Sequence, residues 1–366
     1  MKKVLLASTA LVAFAGAAAA EVSISGNAEM GIVGGSAEGT IFDEDAGEFR
    51  DFDVTAPAQF FNDVDVDFDM SGETDGGLAF GASVDLDEAP NLGNELDDMG
   101  ITVFISSDFG TLTMGDTDGA LDFVTQDMGI GNPGSINDAE TEHLGYLGAW
   151  LDGSGDGQIV RYDYTFDAFT FALSVEQHPG DGETFPLVNG GDSGAIGEDD
   201  NDITWAVGFA YQGEFGGGSW GASIGYQYSD DATLNFGGGA DEGDEVTIAF
   251  ATGEETAATG VGGFIDLDNG FSAAITYTYF DFEDADDADH IGIGAGYTFD
   301  AWSVHANYGV WSNDDATVDG WGISAGYDLG GGASLLFGYG DSSIDIDDSD
   351  AEFDGSNYSF GLSFAF

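Results

Sequence analysis

The chain has 366 residues, with 70 Asp+Glu against 4 Lys+Arg, a formal net charge of −66, and no cysteine. That balance excludes nucleic acid as a partner, since phosphate binding needs a basic footprint, and the missing cysteines exclude a disulfide framework and thiol chemistry. Acidic disordered chains are poor in aromatics, so 29 Phe, 13 Tyr and 6 Trp argue for a folded chain with an apolar surface.

The first predicted element is a cleavable export signal over residues 1–20. Lys2 and Lys3 open it, a largely apolar run follows from Val4 to Ala15, and small residues lead to an A-x-A site before Glu21. Removal of this segment leaves Arg50 and Arg161 as the only Lys or Arg and leaves every acid in place. After Ala20 no apolar run approaches the roughly 18 residues of a spanning helix. Residence in a membrane therefore requires a closed barrel.

From Glu21 onward one unit repeats: a strand-length stretch of period-2 alternation, closed by Gly, Asp and Asn. Strands are predicted near 22–33, 59–71, 78–87, 100–107, 111–116, 158–167, 169–177, 202–211, 218–229, 244–266, 271–281, 290–299, 301–311, 320–328, 333–340 and 357–366. The stretch 244–266 is too long for one simple strand and calls for a bulge or a folded tip. Phe169, Phe171, Leu173 and Val175 share one face, as do Trp302, Val304, Ala306, Tyr308 and Val310, and Tyr358, Phe360, Leu362, Phe364 and Phe366. A soluble sandwich would bury such faces; an outer-membrane barrel turns them to lipid.

Aromatics at strand ends favour the barrel, and so do the connections. Asp108-Phe109-Gly110, Asp167-Ala168 and Asp300-Ala301 read as tight turns, while 117–157, 178–201, 230–243 and 341–356 read as long acidic loops. Short turns on one side and long loops on the other are a barrel pattern. The expectation is an all-β transmembrane antiparallel barrel of about sixteen strands, forming one domain from Glu21 to Phe366. A β-solenoid is disfavoured, because Gly190-Gly191-Asp192-Ser193-Gly194 has no second copy in register.

Residues 76–116 carry a resemblance. Gly77-Leu78-Ala79-Phe80-Gly81-Ala82-Ser83 and Phe104-Ile105-Ser106-Ser107-Asp108-Phe109-Gly110-Thr111-Leu112-Thr113-Met114-Gly115-Asp116 resemble the third to fifth strands of Gram-negative general porins of the alphaproteobacterial type. The start Glu21-Val22-Ser23-Ile24-Ser25-Gly26 and the terminal Phe366 look like the same family. The resemblance implies a homotrimer of sixteen-stranded barrels in the outer membrane. It also implies a constriction loop, here about 117–157, folded into the lumen, and a terminal aromatic, Phe366, read by the insertion machinery. Membrane lipid, lipopolysaccharide, small hydrophilic solutes and cations are the partners implied, and no cofactor is required. The family sets basic side chains opposite that loop, often on the second strand. This second strand reads Phe60-Phe61-Asn62-Asp63-Val64-Asp65-Val66-Asp67-Phe68-Asp69-Met70 and lacks them.

Alternation assigns Phe60, Val64, Val66, Phe68 and Met70 to lipid and so points Asp63, Asp65, Asp67 and Asp69 inward, roughly 7 Å apart. The loop adds Asp118, Asp122, Asp127, Asp138, Glu140, Glu142, Asp152 and Asp156 with no Lys or Arg; many of these individually face bulk solvent. Carboxylate rings are a recurrent device of cation channels. Arg161 is expected to point inward with Asp163 and to pair with a loop or wall carboxylate, whereas Arg50 falls in the first outer loop. Asp152, Ser154, Asp156 and Asp163 mimic the spacing of a calcium loop, but the last ligand is Asp and no helices flank it. Diffuse divalent binding by the acidic loops is the stronger calcium reading.

His143, His178, His290 and His305 lie in separate segments without metal-ligand spacing, His305 on the lumen-facing side. Catalysis finds little support, and a passive pore, cation-favouring because of its acidic lumen, is the leading expectation. A binding or adhesion barrel and a soluble secreted calcium-dependent β-protein are the alternatives.

Overall fold

A computed structural model describes residues 21–43, 48–86, 100–136, 138–146, 148, 151, 158–177, 203–239, 245–347, 349 and 351–366. The strands in chain order are β1 (Glu21–Asp43), β2 (Glu48–Glu73), β3 (Ala79–Asp85), β4 (Ile101–Ser107), β5 (Gly110–Gly115), β6 (Gln158–Phe166), β7 (Phe169–Gln177) and β8 (Ile203–Phe215). They continue with β9 (Gly218–Gly239), β10 (Glu245–Leu267), β11 (Phe271–Phe282), β12 (Ala288–Phe299), β13 (Trp302–Ser312), β14 (Ala316–Gly330), β15 (Ala333–Ile346) and β16 (Glu352–Ala365). One short helix, α1 (Ala120–Val124), lies between β5 and β6. Each strand pairs antiparallel with its neighbours, and β16 closes on β1 from Asn27↔Ala365 to Thr40↔Glu352. Closure satisfies the backbone without leaving an edge, which is the condition for a sheet to cross lipid. No helix among the described residues is long and apolar enough to cross a membrane.

The alternation becomes an outward apolar band: Phe60 is 97% exposed, and Val64, Ile224 and Ile275 are exposed with it. Aromatic pairs flank the band. Trp302 with Tyr327 and Tyr211 with Trp220 lie toward the tight turns; Trp205 with Tyr226 and Trp321 with Tyr339 lie toward the long connections. These are the girdles of a lipid-exposed barrel. The tight turns are where the sequence puts them. Asp167 and Asp300 take left-handed conformations, φ 57 and 52, tolerable for Asp because its side chain can bond the local backbone.

Two details depart from expectation and a third meets it. Residues 230–239, 341–346 and 352–356 are strand, because β9, β15 and β16 extend beyond the predicted limits. Arg50 is not in a loop: β1 and β2 lengthen into a hairpin in which it stands opposite Ile41, so Arg161 is not the only basic residue on a strand. The long tenth strand does carry irregularities, with register shifts between Ala249 and Thr256 against β9.

At the end of the barrel bearing the long connections, the binary pattern inverts. On β11 the outward series Ile275, Tyr277, Tyr279 ends in exposed Asp281, while the inward series passes from Thr276 and Thr278 to Phe280 and Phe282, both buried. β15 and β16 repeat it: Asp345 and Asp354 face out, Ile344 and Phe353 face in. Below that level lipid covers the outer face; above it water does, so the apolar residues turn inward and pack together. The main apolar cluster therefore sits inside this upper end and reaches down to α1.

Candidate functional site

The chain between β5 and β6 turns into the barrel and lies on its inner wall. α1 packs against β7, β8 and β9, and the Ala120 N–H donates to Ser174 Oγ at 2.8 Å. Farther along, Ser324 Oγ donates to Asn132 Oδ1 at 2.6 Å, Asn307 Nδ2 to the Thr141 carbonyl at 2.7 Å and Asn357 Nδ2 to the Ala139 carbonyl at 3.1 Å. The loop is thus tied to strands from β7 round to β16. It fits because the wall beneath it is glycine: a methyl group on Gly309 would stand 2.1 Å from the Gly145 carbonyl oxygen, and one on Gly322 2.3 Å from that of Glu140.

Arg161 fastens the start of this loop. Tyr162 and Phe166 of β6 face out, and Arg161 and Asp163, on either side of Tyr162, face in, 7% and 6% exposed. The guanidinium donates from Nη1 to the Asp118 carbonyl at 2.6 Å, lies 3.8 Å from the carboxylates of both Asp118 and Asp163, and stacks 3.9 Å over the Phe123 ring. One cation thereby joins wall, loop and helix.

The loop carboxylates divide by environment. Asp118 is exposed, Asp122 half-buried, and Asp127 accepts from Tyr146 Oη at 2.7 Å and from the Gly129 N–H at 3.0 Å. Asp138 accepts from the Ser135 N–H at 2.8 Å. Glu140 is fully buried and bonded by the Ser135 hydroxyl; it belongs to the seam between loop and wall, not to a solute-facing surface. Asp138 and Glu142 are reached by solvent yet enclosed by protein, and desolvation holds both above the usual carboxylate range, with repulsion from Asp138 and Asp127 adding to it at Glu142. Asp152, Ser154 and Asp156 of the calcium-like spacing lie outside the described residues; their fourth member, Asp163, stands beside Arg161.

Away from the seated loop the wall is acidic. Asp63, Asp65 and Asp67 are half-buried on the inward face of β2, and Asp69 accepts from Ser83 Oγ at 3.0 Å. The sheet adds two carboxylates that the sequence reading passed over. Glu29 of β1 stands opposite Asp63, and Asp85 of β3 opposite Asp67. Carboxylate oxygens of Asp65, Asp67 and Asp85 lie within 4.8 Å of one another. The signal for Asp85 was present in the alternation Phe80, Ala82, Val84 against Gly81, Ser83, Asp85, but the register that sets it beside Asp67 is not local information.

Histidines far apart in sequence converge under the loop. His143 is 3% exposed against Gly320, His290 donates from Nε2–H to the Gly145 carbonyl at 2.9 Å, and His305 is 4% exposed. His305 thus points inward but beneath the loop, away from an open lumen; His178 lies outside the described residues. Burial depresses the His143 pKa to about 4, with His290 nearby adding to the effect. Because the seated loop holds His143 below its ordinary value of 6.5, seating is fully stable above that pH and weakens as pH falls toward 4. The loss amounts to roughly 3 kcal/mol. Single-channel recordings should become noisier between pH 7 and 4 in the wild type and less so in His143→Gln; identical acid responses would show that this imidazole does not report on seating.

Comparison with known proteins places this architecture. A family model described as Gram-negative porin matches residues 7–347. A porin of Rhodobacter capsulatus is 29% identical over 298 residues, covering 78% of this chain and 88% of the relative. A solved porin structure superposes with TM-score 0.63 at 23% identity, covering 94% of this chain and all of the other. A mutant of Rh. blastica porin gives 0.54 at 15% identity, with 94% and 100% covered. With a closed sixteen-stranded barrel, an inward loop and a family match over nearly the whole length, the chain belongs to the Gram-negative porin family and forms an outer-membrane diffusion pore.

Proposed function

We propose that the pore is passive and favours cations, admitting small hydrophilic solutes and ions down their gradients with no catalytic step. The observation that carries this reading is an imbalance of charge inside the barrel. Glu29, Asp63, Asp65, Asp67, Asp69 and Asp85 line one side, whereas Arg161 is engaged by Asp118 and Asp163 beneath the loop. Fixed carboxylates in a narrow, low-dielectric passage concentrate cations and repel anions. The wall carboxylates also repel one another unless cations intervene, so divalent ions such as calcium are expected as diffuse counter-ions rather than as a required cofactor. The test is the reversal potential of the purified protein in a planar bilayer across a KCl gradient. A cation-selective sign is expected, and an anion-selective sign would overturn the reading.

The assembled form is proposed to be a homotrimer contacting lipid and lipopolysaccharide. Residues 1–20 serve as the export signal, and Phe366, 82% exposed with its N–H donated to the Gly26 carbonyl at 2.9 Å, as the insertion signal. Deleting Phe366 should lower the outer-membrane yield of a protein whose intact mass begins at Glu21. An unchanged yield would show that this residue is not read, and a mass including residues 1–20 that the segment is retained.

A further inference from the structure

β9 and β10 run past the barrel wall. β9 pairs with β8 only as far as Ser229, and β10 pairs with β11 only from Thr256 onward. Beyond those residues the two strands pair with each other, up to Gly239 and Glu245. A two-stranded ribbon on its own is marginally stable in water, and this one does not stand alone. Phe236 and Phe250, 1% and 2% exposed, meet at 5.2 Å between ring centroids and lie 5.3 and 6.2 Å from the ring of Trp311. Trp311 is the last inward side chain of β13, fully buried, with Phe280 of β11 against it at 4.9 Å. To reach it, the ribbon must lean across the mouth. The three register shifts between Ala249 and Thr256 supply the bend, since each bulge kinks and twists its strand.

The opposite rim answers. β1 stands across the sixteen-strand ring from β9, yet it touches both β9 and β10, and β16 touches β9. A barrel of this size is too wide for wall strands to meet across its lumen; such contacts arise only where hairpins fold over the opening. Phe52 of β2 and Phe353 of β16 join Phe236, Phe250 and Trp311 in one buried apolar cluster. The inverted binary pattern of the upper strands is what makes this cluster: their inward faces change from small and polar to apolar at the same level.

We propose that this apolar lid is a second, size-determining filter at the mouth, separate from the constriction loop; the proposal rests on the reading of the chain as a pore. The lid's seat is apolar and the acidic wall is lined by other residues, so the lid excludes by bulk and leaves ion preference to the carboxylates. It makes the two entrances unequal: the end with the long connections is narrowed, and the end with the tight turns is not.

The test is polyethylene-glycol exclusion on single channels inserted in one orientation, with polymers of graded size added to either side. The wild type should show a smaller cut-off from the lid side than from the turn side. Phe236→Glu with Phe250→Glu, which forces charge into the seat, and separately Trp311→Ala, which removes the seat from the wall side, should raise the lid-side cut-off and the conductance. The sign of the reversal potential should not change. Equal cut-offs from both sides of the wild type would overturn the lid, and so would variants that assemble with unchanged cut-offs; variants that fail to assemble leave the wild-type asymmetry to decide. Wild-type protein that forms no channel would overturn the pore reading instead.

Discussion

Replacing Asp63, Asp65, Asp67 and Asp69 together by asparagine should remove most of the cation preference and move the reversal potential toward zero. The four side chains keep their size and hydrogen-bonding oxygen, so the change isolates charge. Their spacing of roughly 7 Å along one strand is shorter than the Debye length of about 10 Å at 0.1 M salt, so they act as one field there; at 1 M, where it falls to about 3 Å, they act singly. The difference between variant and wild type should therefore be largest in dilute salt. Glu29 and Asp85 face the same group across the sheet and should leave a residual preference. Acid adds a second dependence. Asp138 and Glu142 are held above the usual carboxylate range, so the loop gives up charge early as pH falls. An unaffected quadruple variant would transfer selectivity from β2 to the loop.

Arg161→Met should leave a barrel that assembles but a constriction loop that does not stay in place. Arg161 and Asp163 are both buried, and removing one member of a buried pair costs about 3 kcal/mol, chiefly by stranding the other charge. The loss falls on the loop rather than on the barrel, because the strand ladder does not use the guanidinium, whereas the Asp118 carbonyl and the Phe123 ring do. Expected in single-channel traces are rapid conductance fluctuations absent from the wild type. Arg161→Lys should rescue poorly, since an ammonium is a point charge that cannot donate to Asp118 and lie flat over Phe123 at once. Quiet traces with wild-type conductance in Arg161→Met would mean that the glycine-lined wall and its hydrogen bonds hold the loop unaided.

Both predictions begin from sequence, but they depend on different kinds of information. The outward and inward faces of β2 and β6 follow from strict alternation, a local property that survives any change of neighbour. The inward direction of Asp63 to Asp69 and of Arg161 was legible for that reason, as were the tight turns at Asp167 and Asp300. What Arg161 meets was legible only as a type of partner. Asp118 and Phe123 reach it through the path of a loop whose contacts span the barrel.

By itself the sequence determined the class of fold, the strand faces and the acidity of the interior. Period-2 patterning, turn chemistry and a shortage of bases are written residue by residue. Tertiary structure alone decided which inward residues meet solvent. Glu140, His143, His290 and His305 all lie beneath or within the loop, because it settles on glycines drawn from many strands. Asp85 joins Asp65 and Asp67 through strand register. Phe236 fell within a predicted acidic loop and Phe250 within a predicted strand, yet both pack inside the mouth on Trp311. In each case the deciding partner is far away in sequence, and only closure of the ring brings it within reach.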